Sequence, residues 1–229
     1  DVRVFLEKQR PIGAMLLPPI SENDALAALC SELGVRYVRV GSAPLDDAAH
    51  CVSSNDREVV AEAVRKLISL GHRRIGFISG PAEYRLAGWR VDGWRAEMTA
   101  AALPCDGLLE AGDFSYASGA RAARALLDRE APPTAIIASN DQMALATIEA
   151  ARDAGLDIPR DLSVVSFDNT PLVRFTTPPL PAVDQPISET TATAVRLLIQ
   201  AQRDGADPAP TVVLPMSLVE RGSTAAPRD

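Results

Sequence analysis

Three polar side chains follow short apolar runs, and their chemistry is that of gripping a small hydroxylated molecule. Asp168 comes directly after Val164-Val165-Ser166-Phe167. Asn140 comes after Ala135-Ile136-Ile137-Ala138 and Ser139, and Arg85 follows the run at 75–79 after a loop. A carboxylate at Asp168 can accept two hydroxyl hydrogen bonds, and the Asn140 amide offers both a donor and an acceptor. The Arg85 guanidinium can hold two vicinal hydroxyls, or a carboxylate, with paired N–H donors. Each residue also has a plainer reading. Asp168 could be a turn aspartate beside Asn169, Asn140 an N-cap for a helix opening near Asp141, and Arg85 a surface arginine at a helix start. Asp141 itself reads as a structural or capping residue.

Other chemistries find little support. His50 and His72 are the only histidines, and His72, just after Gly71, reads as a helix-end residue favoured by the helix dipole rather than a catalytic or metal-binding group. No glycine-rich dinucleotide motif, phosphate loop, paired-histidine zinc motif or nucleophile elbow occurs. No catalytic residue, metal or cofactor is therefore expected. The cysteines Cys30, Cys51 and Cys105 are odd in number and widely spaced, with no zinc or redox pattern, which suits a reducing cytoplasm. A net charge of −7 argues against a broad basic face that grips nucleic acid, and Arg73-Arg74 reads as a solvated pair. With 229 residues, 47% of them apolar, the chain can bury a full core as one large or two small domains. No apolar run reaches membrane-spanning length and no signal peptide is evident.

The elements that must position these residues alternate. Apolar runs at 12–17, 35–40, 75–79, 135–138, 162–167 and 211–214 read as strands. Between them lie helical patterns: one capped by Ser21 with Asp24 three residues on, and one opened by Asn55 or Asp56 with Val59, Val60, Ala63, Val64 and Leu67 on a single face. Others run from about Leu86 to Ala101, from Ser115 to Leu127, over 141–153 and over 188–202. Strands alternating with helices predict parallel sheets covered on both faces. Polar residues just beyond the carboxyl ends of such strands occupy the place where open α/β sheets bind ligands. The proline-rich stretch 171–187 reads as an extended crossover rather than a helix.

The order of several motifs resembles the effector-binding domain of LacI/GalR-type bacterial transcription regulators. They are Gly71-His72-Arg73-Arg74-Ile75-Gly76-Phe77-Ile78-Ser79-Gly80-Pro81, Arg85-Leu86-Ala87-Gly88-Trp89, Gly112-Asp113-Phe114-Ser115, Ser139-Asn140-Asp141-Gln142-Met143-Ala144, Phe167-Asp168-Asn169-Thr170 and Pro178-Pro179-Leu180. The resemblance implies an α/β, two-lobed fold of the type I periplasmic-binding-protein kind, its parallel sheets carrying helices on both faces and joined by three crossover segments, near residues 50, 180 and 207. It implies a first lobe of 1–49 with 181–206 and a second of 51–178 with 209–222, leaving 223–229 as a tail; by its position at the chain end, the stretch from Gly222 is expected to fray. The family's first strand, helix and second strand have no counterpart ahead of 12–17, so the first lobe reads as incomplete.

The resemblance also assigns roles. Arg85, Asn140 and Asp168 become effector contacts, and Phe114 an aromatic ring on which a sugar's C–H face could stack, core packing being the equal alternative. Gln185 and Ile187, where the crossover re-enters the first lobe, become further ligand contacts. The implied ligand is a small polar effector of the sugar class lying between the lobes. Operator DNA would be bound only through a helix-turn-helix absent here, and the protein would be a cytoplasmic homodimer. For that dimer, Met143, Ala144, Thr147, Ile148 and Ala151 offer a helical face that could equally pack inward. Three departures stand out: Ser54 where an aspartate is usual, Pro181-Ala182 after Pro-Pro-Leu, and Ser166 before Phe167-Asp168. The rival readings are a periplasmic sugar-binding protein of a transport system, which shares the fold, and a sugar-acting enzyme, which lacks a poised acid–base pair here.

Overall fold

A computed structural model describes residues 2–43, 45, 50–204 and 211–228. In chain order the elements are α1 (Val2–Gln9), β1 (Ala14–Leu16), α2 (Asp24–Glu32), β2 (Tyr37–Val40), β3 (His50–Ser54), α3 (Asp56–Ser69), β4 (Ile75–Ser79), α4 (Arg85–Ala100) and β5 (Leu109–Ala111). Then follow α5 (Tyr116–Leu127), β6 (Ala135–Ala138), α6 (Asp141–Asp153), β7 (Ser163–Asp168), a 3-10 turn at Pro171–Arg174, β8 (Ala182–Asp184), α7 (Ile187–Asp204), β9 (Val212–Leu214) and β10 (Ser217–Val219). They form two compact units: Asp1–Asn55 with Pro186–Pro215, and Asp56–Gln185 with Met216–Asp229.

The smaller unit holds a parallel sheet in the order β1-β2-β3-β9. Val38, Val40 and Val52 meet Ala194 and Leu197 of α7 in its core. Helix α2 is capped by Asn23, whose Oδ1 accepts from the Leu26 N–H at 2.9 Å, and not by Ser21. Ser21 is instead buried, donating to the Gly41 carbonyl while its own carbonyl accepts from the buried Arg39.

The larger unit is a six-stranded sheet, β10-β8-β7-β6-β4-β5, parallel except for β10. Strand alternation sorts its core into two layers. Ile75, Phe77, Ala135, Ile137, Val165, Phe167 and Val183 face the α3–α4 side, joining Val60, Val64, Leu67, Trp94 and Met98. Ile78, Ile136, Ala138, Val164 and Ala182 face the other way, against Ala123 and Leu126 of α5 and Met143 and Ala144 of α6. Helices α3 and α4 touch closely because Gly93 has no side chain: a Cβ there would stand 2.3 Å from the Arg57 carbonyl oxygen.

Several expectations are corrected. The unit boundaries fall at 55/56, 185/186 and 215/216, later than the sequence suggests. Residues 50–54 form a strand paired on both sides, and 212–214 belong to the smaller sheet rather than the second lobe. The crossing expected near 207 lies outside the described residues. The tail is not frayed as far as Arg228. Because β8 pairs only with Ser166–Asp168, the edge of β7 before it is open, and the tail fills it. The Val164 N–H donates to the Ser223 carbonyl at 3.0 Å, Ser223 Oγ donates back to the Val164 carbonyl, and Arg228 meets Asp161 at 3.0 Å. His72 serves the same anchorage. It is buried, its Nε2–H donates to the Ala225 carbonyl at 2.9 Å, and Nδ1 accepts from Thr134 Oγ1 at 2.8 Å. Burial pushes its pKa down, so it is a neutral bridging residue and not a cation at a helix end. Finally, Met143, Ala144, Thr147 and Ala151 are fully buried, so that face of α6 is core.

Candidate ligand-binding site

Five parallel strands of the larger unit each deliver one candidate residue at or just past the carboxyl end. Arg85 follows β4, Phe114 follows β5, Asn140 follows β6, Asp168 ends β7 and Gln185 follows β8. The chain runs from β4 to β5 on one side and then returns to β6 on the other. The strand order therefore reverses between β4 and β6, which is where an open α/β sheet leaves a crevice. Arg85 and Asn140 stand at the heads of the helices that follow those two strands.

Asp168 has the most unusual setting. It sits at φ +102° and Asn169 at +59°, in a region that non-glycine residues enter rarely and mostly at functional turns. Gln185 Nε2 donates to its Oδ1 at 2.5 Å. Burial pushes its pKa up to about 6; the Arg90 guanidinium opposes that rise, and the neighbouring Asp141 carboxylate adds to it. Asn169 is itself fixed, donating to Asp184 Oδ1 at 2.6 Å and accepting from Arg221 at 2.5 Å. The turn is thus a braced fixture carrying a carboxylate that the protein solvates poorly. Strongly shifted carboxylates in such places are candidates for function.

Asn140 does cap α6: its Oδ1 accepts from the Met143 N–H at 2.9 Å, while Nδ2 donates to the Phe114 carbonyl at 2.8 Å. It therefore holds the Phe114 turn, where φ is +68°, leaving one amide hydrogen and one lone pair for other work. The half-buried Phe114 ring lies against Gly80, where a Cβ would come within 2.3 Å of Cζ, and stands edge-on to Tyr84 at 6.2 Å. Asp141 is wholly committed to structure, accepting from Ser166 Oγ and from the Thr170 N–H. Arg85 is exposed at the first residue of α4. Ile187 falls in the other unit, 60% exposed at the start of α7.

One charged residue, Arg90, escapes the sequence reading, and its partner Asp56 is read there only as a possible helix opener. Arg90 is buried, its Nε donating to the fully buried Asp56 at 2.6 Å and its NH1 to the Ser139 carbonyl at 2.7 Å. Its guanidinium lies 3.5 Å from the centroid of the Phe167 ring. The signal was present: Arg90 shares the helical face of Leu86 and Trp94, four residues to either side, and a charge on an apolar face demands a buried partner. Among the described residues no group of three or more His, Cys, Asp or Glu could hold a metal, and no helix is long and apolar enough to cross a membrane.

Comparison with known proteins agrees with this architecture. Residues 64–224 match the periplasmic binding protein-like domain. The chain is 38% identical over 199 residues to the HTH-type transcriptional regulator MalR of Streptomyces coelicolor, covering 84% of this chain and 57% of that protein. It is 36% identical over 223 residues to the HTH-type regulator DegA of Bacillus subtilis, covering 96% and 66%. The chain thus spans roughly three-fifths of the length of the curated relatives it matches. Among solved structures, the complex of the transcriptional regulator CelR with cellobiose superposes with a TM-score of 0.90 at 31% identity, over 97% of this chain and 68% of that one. A LacI-family regulatory protein from Chloroflexus aggregans gives 0.87 at 30% identity, over 97% and 80%. Sequence and fold agree that the chain belongs to the LacI family of transcriptional regulators and forms its periplasmic-binding-protein-like effector domain.

Proposed function

We propose that this domain binds a small hydroxylated effector of the sugar class at the carboxyl ends of β4–β8. Arg85, Asn140, Asp168, Phe114 and Gln185 make contacts. The observation that carries the reading is Asp168: a poorly solvated carboxylate on a braced, left-handed turn, whose hydrogen-bonding capacity only a ligand with hydroxyl donors would use in full. The relative whose structure holds cellobiose supports the ligand class. On this reading no bond is broken, the protein acts in the cytoplasm, and operator DNA is reached through a helix-turn-helix outside these residues. Effector binding then shifts a conformational equilibrium, its coupling being a difference in affinity between two states. A periplasmic transport role is not favoured, since the relatives are named as regulators.

A thermal-shift screen of mono- and disaccharides, cellobiose included, is expected to yield at least one ligand that raises the melting temperature. In calorimetry with that ligand, Arg85→Ala and Asp168→Ala are each expected to weaken binding by about 2 kcal/mol, close to thirtyfold, because each leaves a ligand group unpaired. Unchanged affinity in both variants would remove the site assignment.

The same reading makes the full-length regulator a homodimer, as two-fold operators require paired heads. With the α6 face buried, the larger unit still exposes Phe175 at 83%, together with Leu172 and Tyr116. A stable interface needs roughly 1,200 Å² or more in total. Full-length protein is expected to sediment as a dimer at tens of micromolar (roughly the weak-dimer regime); a monomer there would overturn this part.

A further inference from the structure

We propose that Arg90 is a positioning residue for this site: pinned by Asp56 and by the Ser139 carbonyl, its buried guanidinium keeps Asp168 a charged hydrogen-bond acceptor for a hydroxylated ligand. The ligand's part in this rests on the reading above; the effect on Asp168 does not.

The geometry is that of a strut across three elements. Arg90 projects from the core face of α4. Its Nε is held by Asp56, the first residue of α3, and its NH1 by the carbonyl at the end of β6. The guanidinium plane covers the Phe167 ring one residue before Asp168, where a cation is attracted to the ring face. Two fixed hydrogen bonds and a stacked ring leave the cation no room to swing away. This is a use to which a planar, always-charged fork is suited and a flexible ammonium is less so. The guanidinium thus sits under the ends of β6 and β7, on the ring that precedes Asp168, and the charged groups whose fields act on Asp168 are Arg90 from α4 and Asp141 from α6, with the Gln185 amide arriving from the end of β8. Asp56 stands behind Arg90, and Arg221 lies in the field of Asp141. Burial and Asp141 both favour the protonated acid, while Arg90 and Gln185 favour the carboxylate. Without Arg90, Asp168 would hold its proton further toward neutral pH and present a donor where the ligand offers donors of its own.

The test needs no ligand. The whole chain is isotope-labelled at aspartate carboxyl carbons, the Asp168 resonance is assigned by its loss in Asp168→Asn, and the signal is followed by NMR from acid to neutral pH. The wild-type midpoint is expected near 6. In Arg90→Met it is expected to rise by about one pH unit or more, a tenfold tighter hold on the proton. In Arg90→Lys, which restores the charge, it returns toward the wild-type value; a merely structural role predicts no such rescue. Should Arg90→Met fail to fold because Asp56 is stranded, the double variant Asp56→Asn/Arg90→Met removes both charges and is expected to show the upward move as well. A midpoint unmoved in the folded variant, or moved as far by lysine as by methionine, overturns the proposal. A moved midpoint in a protein that binds no sugar in the screen would uphold Arg90's role while removing the ligand class, so the two readings fail separately.

Discussion

Asp56→Ala is expected to destabilise the domain by about 3–5 kcal/mol, the loss typical when one partner of a buried ion pair is removed. Asp56 is fully buried and takes the Arg90 Nε at 2.6 Å. Alanine would leave a buried guanidinium without its hydrogen-bonded ion-pair partner, held by the Ser139 carbonyl and the Phe167 ring face. The pair also sits where α3 meets α4 and the end of β6. An exposed pair gives the contrast: Arg65 and Glu97 meet at 2.5 Å, yet Arg65 is more than half exposed, and Arg65→Ala is expected to change stability by under about 1 kcal/mol. Denaturant unfolding of both variants checks the difference. The double variant Asp56→Ala/Arg90→Met is expected to lose less than Asp56→Ala alone, since an apolar pair leaves no stranded charge. A loss for Asp56→Ala no larger than that for Arg65→Ala would mean water already reaches the pair.

The fold is legible in the sequence wherever periodicity runs long enough to be read. The α3 face of Val59, Val60, Ala63, Val64 and Leu67 is buried as its spacing demands, and β4, β6 and β7 are apolar runs whose alternation feeds two core layers. The elements that escape are short. β5, β8 and β10 have three residues each, too few for any period to show, and β3 falls where the family resemblance implies a crossover, near residue 50. The tail escapes for a different reason: an open strand edge captures it, and no local signal at Ser223 announces that partner.

At the site, the residues beyond strand ends are legible because the α/β topology fixes where such residues lie. What they do there is less so. The Asn140 amide is divided between a helix cap and the Phe114 turn, a tertiary bond that no spacing predicts. Arg90 and Asp56 lie 34 positions apart; only the misplaced charge on an apolar helix face hints at their pairing. Sequence favours recognition of groups that reach outward and conceals those that act through a neighbour.

Asp168→Asn should stabilise the ligand-free domain at neutral pH while weakening the effector site. The folded protein holds the Asp168 proton up to about pH 6, against an ordinary value of 3.8. Below 3.8 the group is protonated whether the chain is folded or not, and contributes no penalty. Between 3.8 and about 6 the unfolded chain releases the proton that the folded one retains, so stability falls as pH rises. Above 6 the carboxylate is charged in both states, and the full cost of enclosing it is present, roughly 2–3 kcal/mol after allowing for its partial exposure. Asparagine carries no charge to desolvate and no repulsion toward Asp141. It keeps an oxygen for the Gln185 donor, and asparagine tolerates positive φ as well as aspartate does. Equilibrium unfolding from pH 4 to 8 is therefore expected to give nearly equal stabilities at the acid end and a gap in favour of Asp168→Asn that opens by pH 7. A gap independent of pH would show that the turn's backbone strain, and not the carboxylate's charge, is what the substitution relieves.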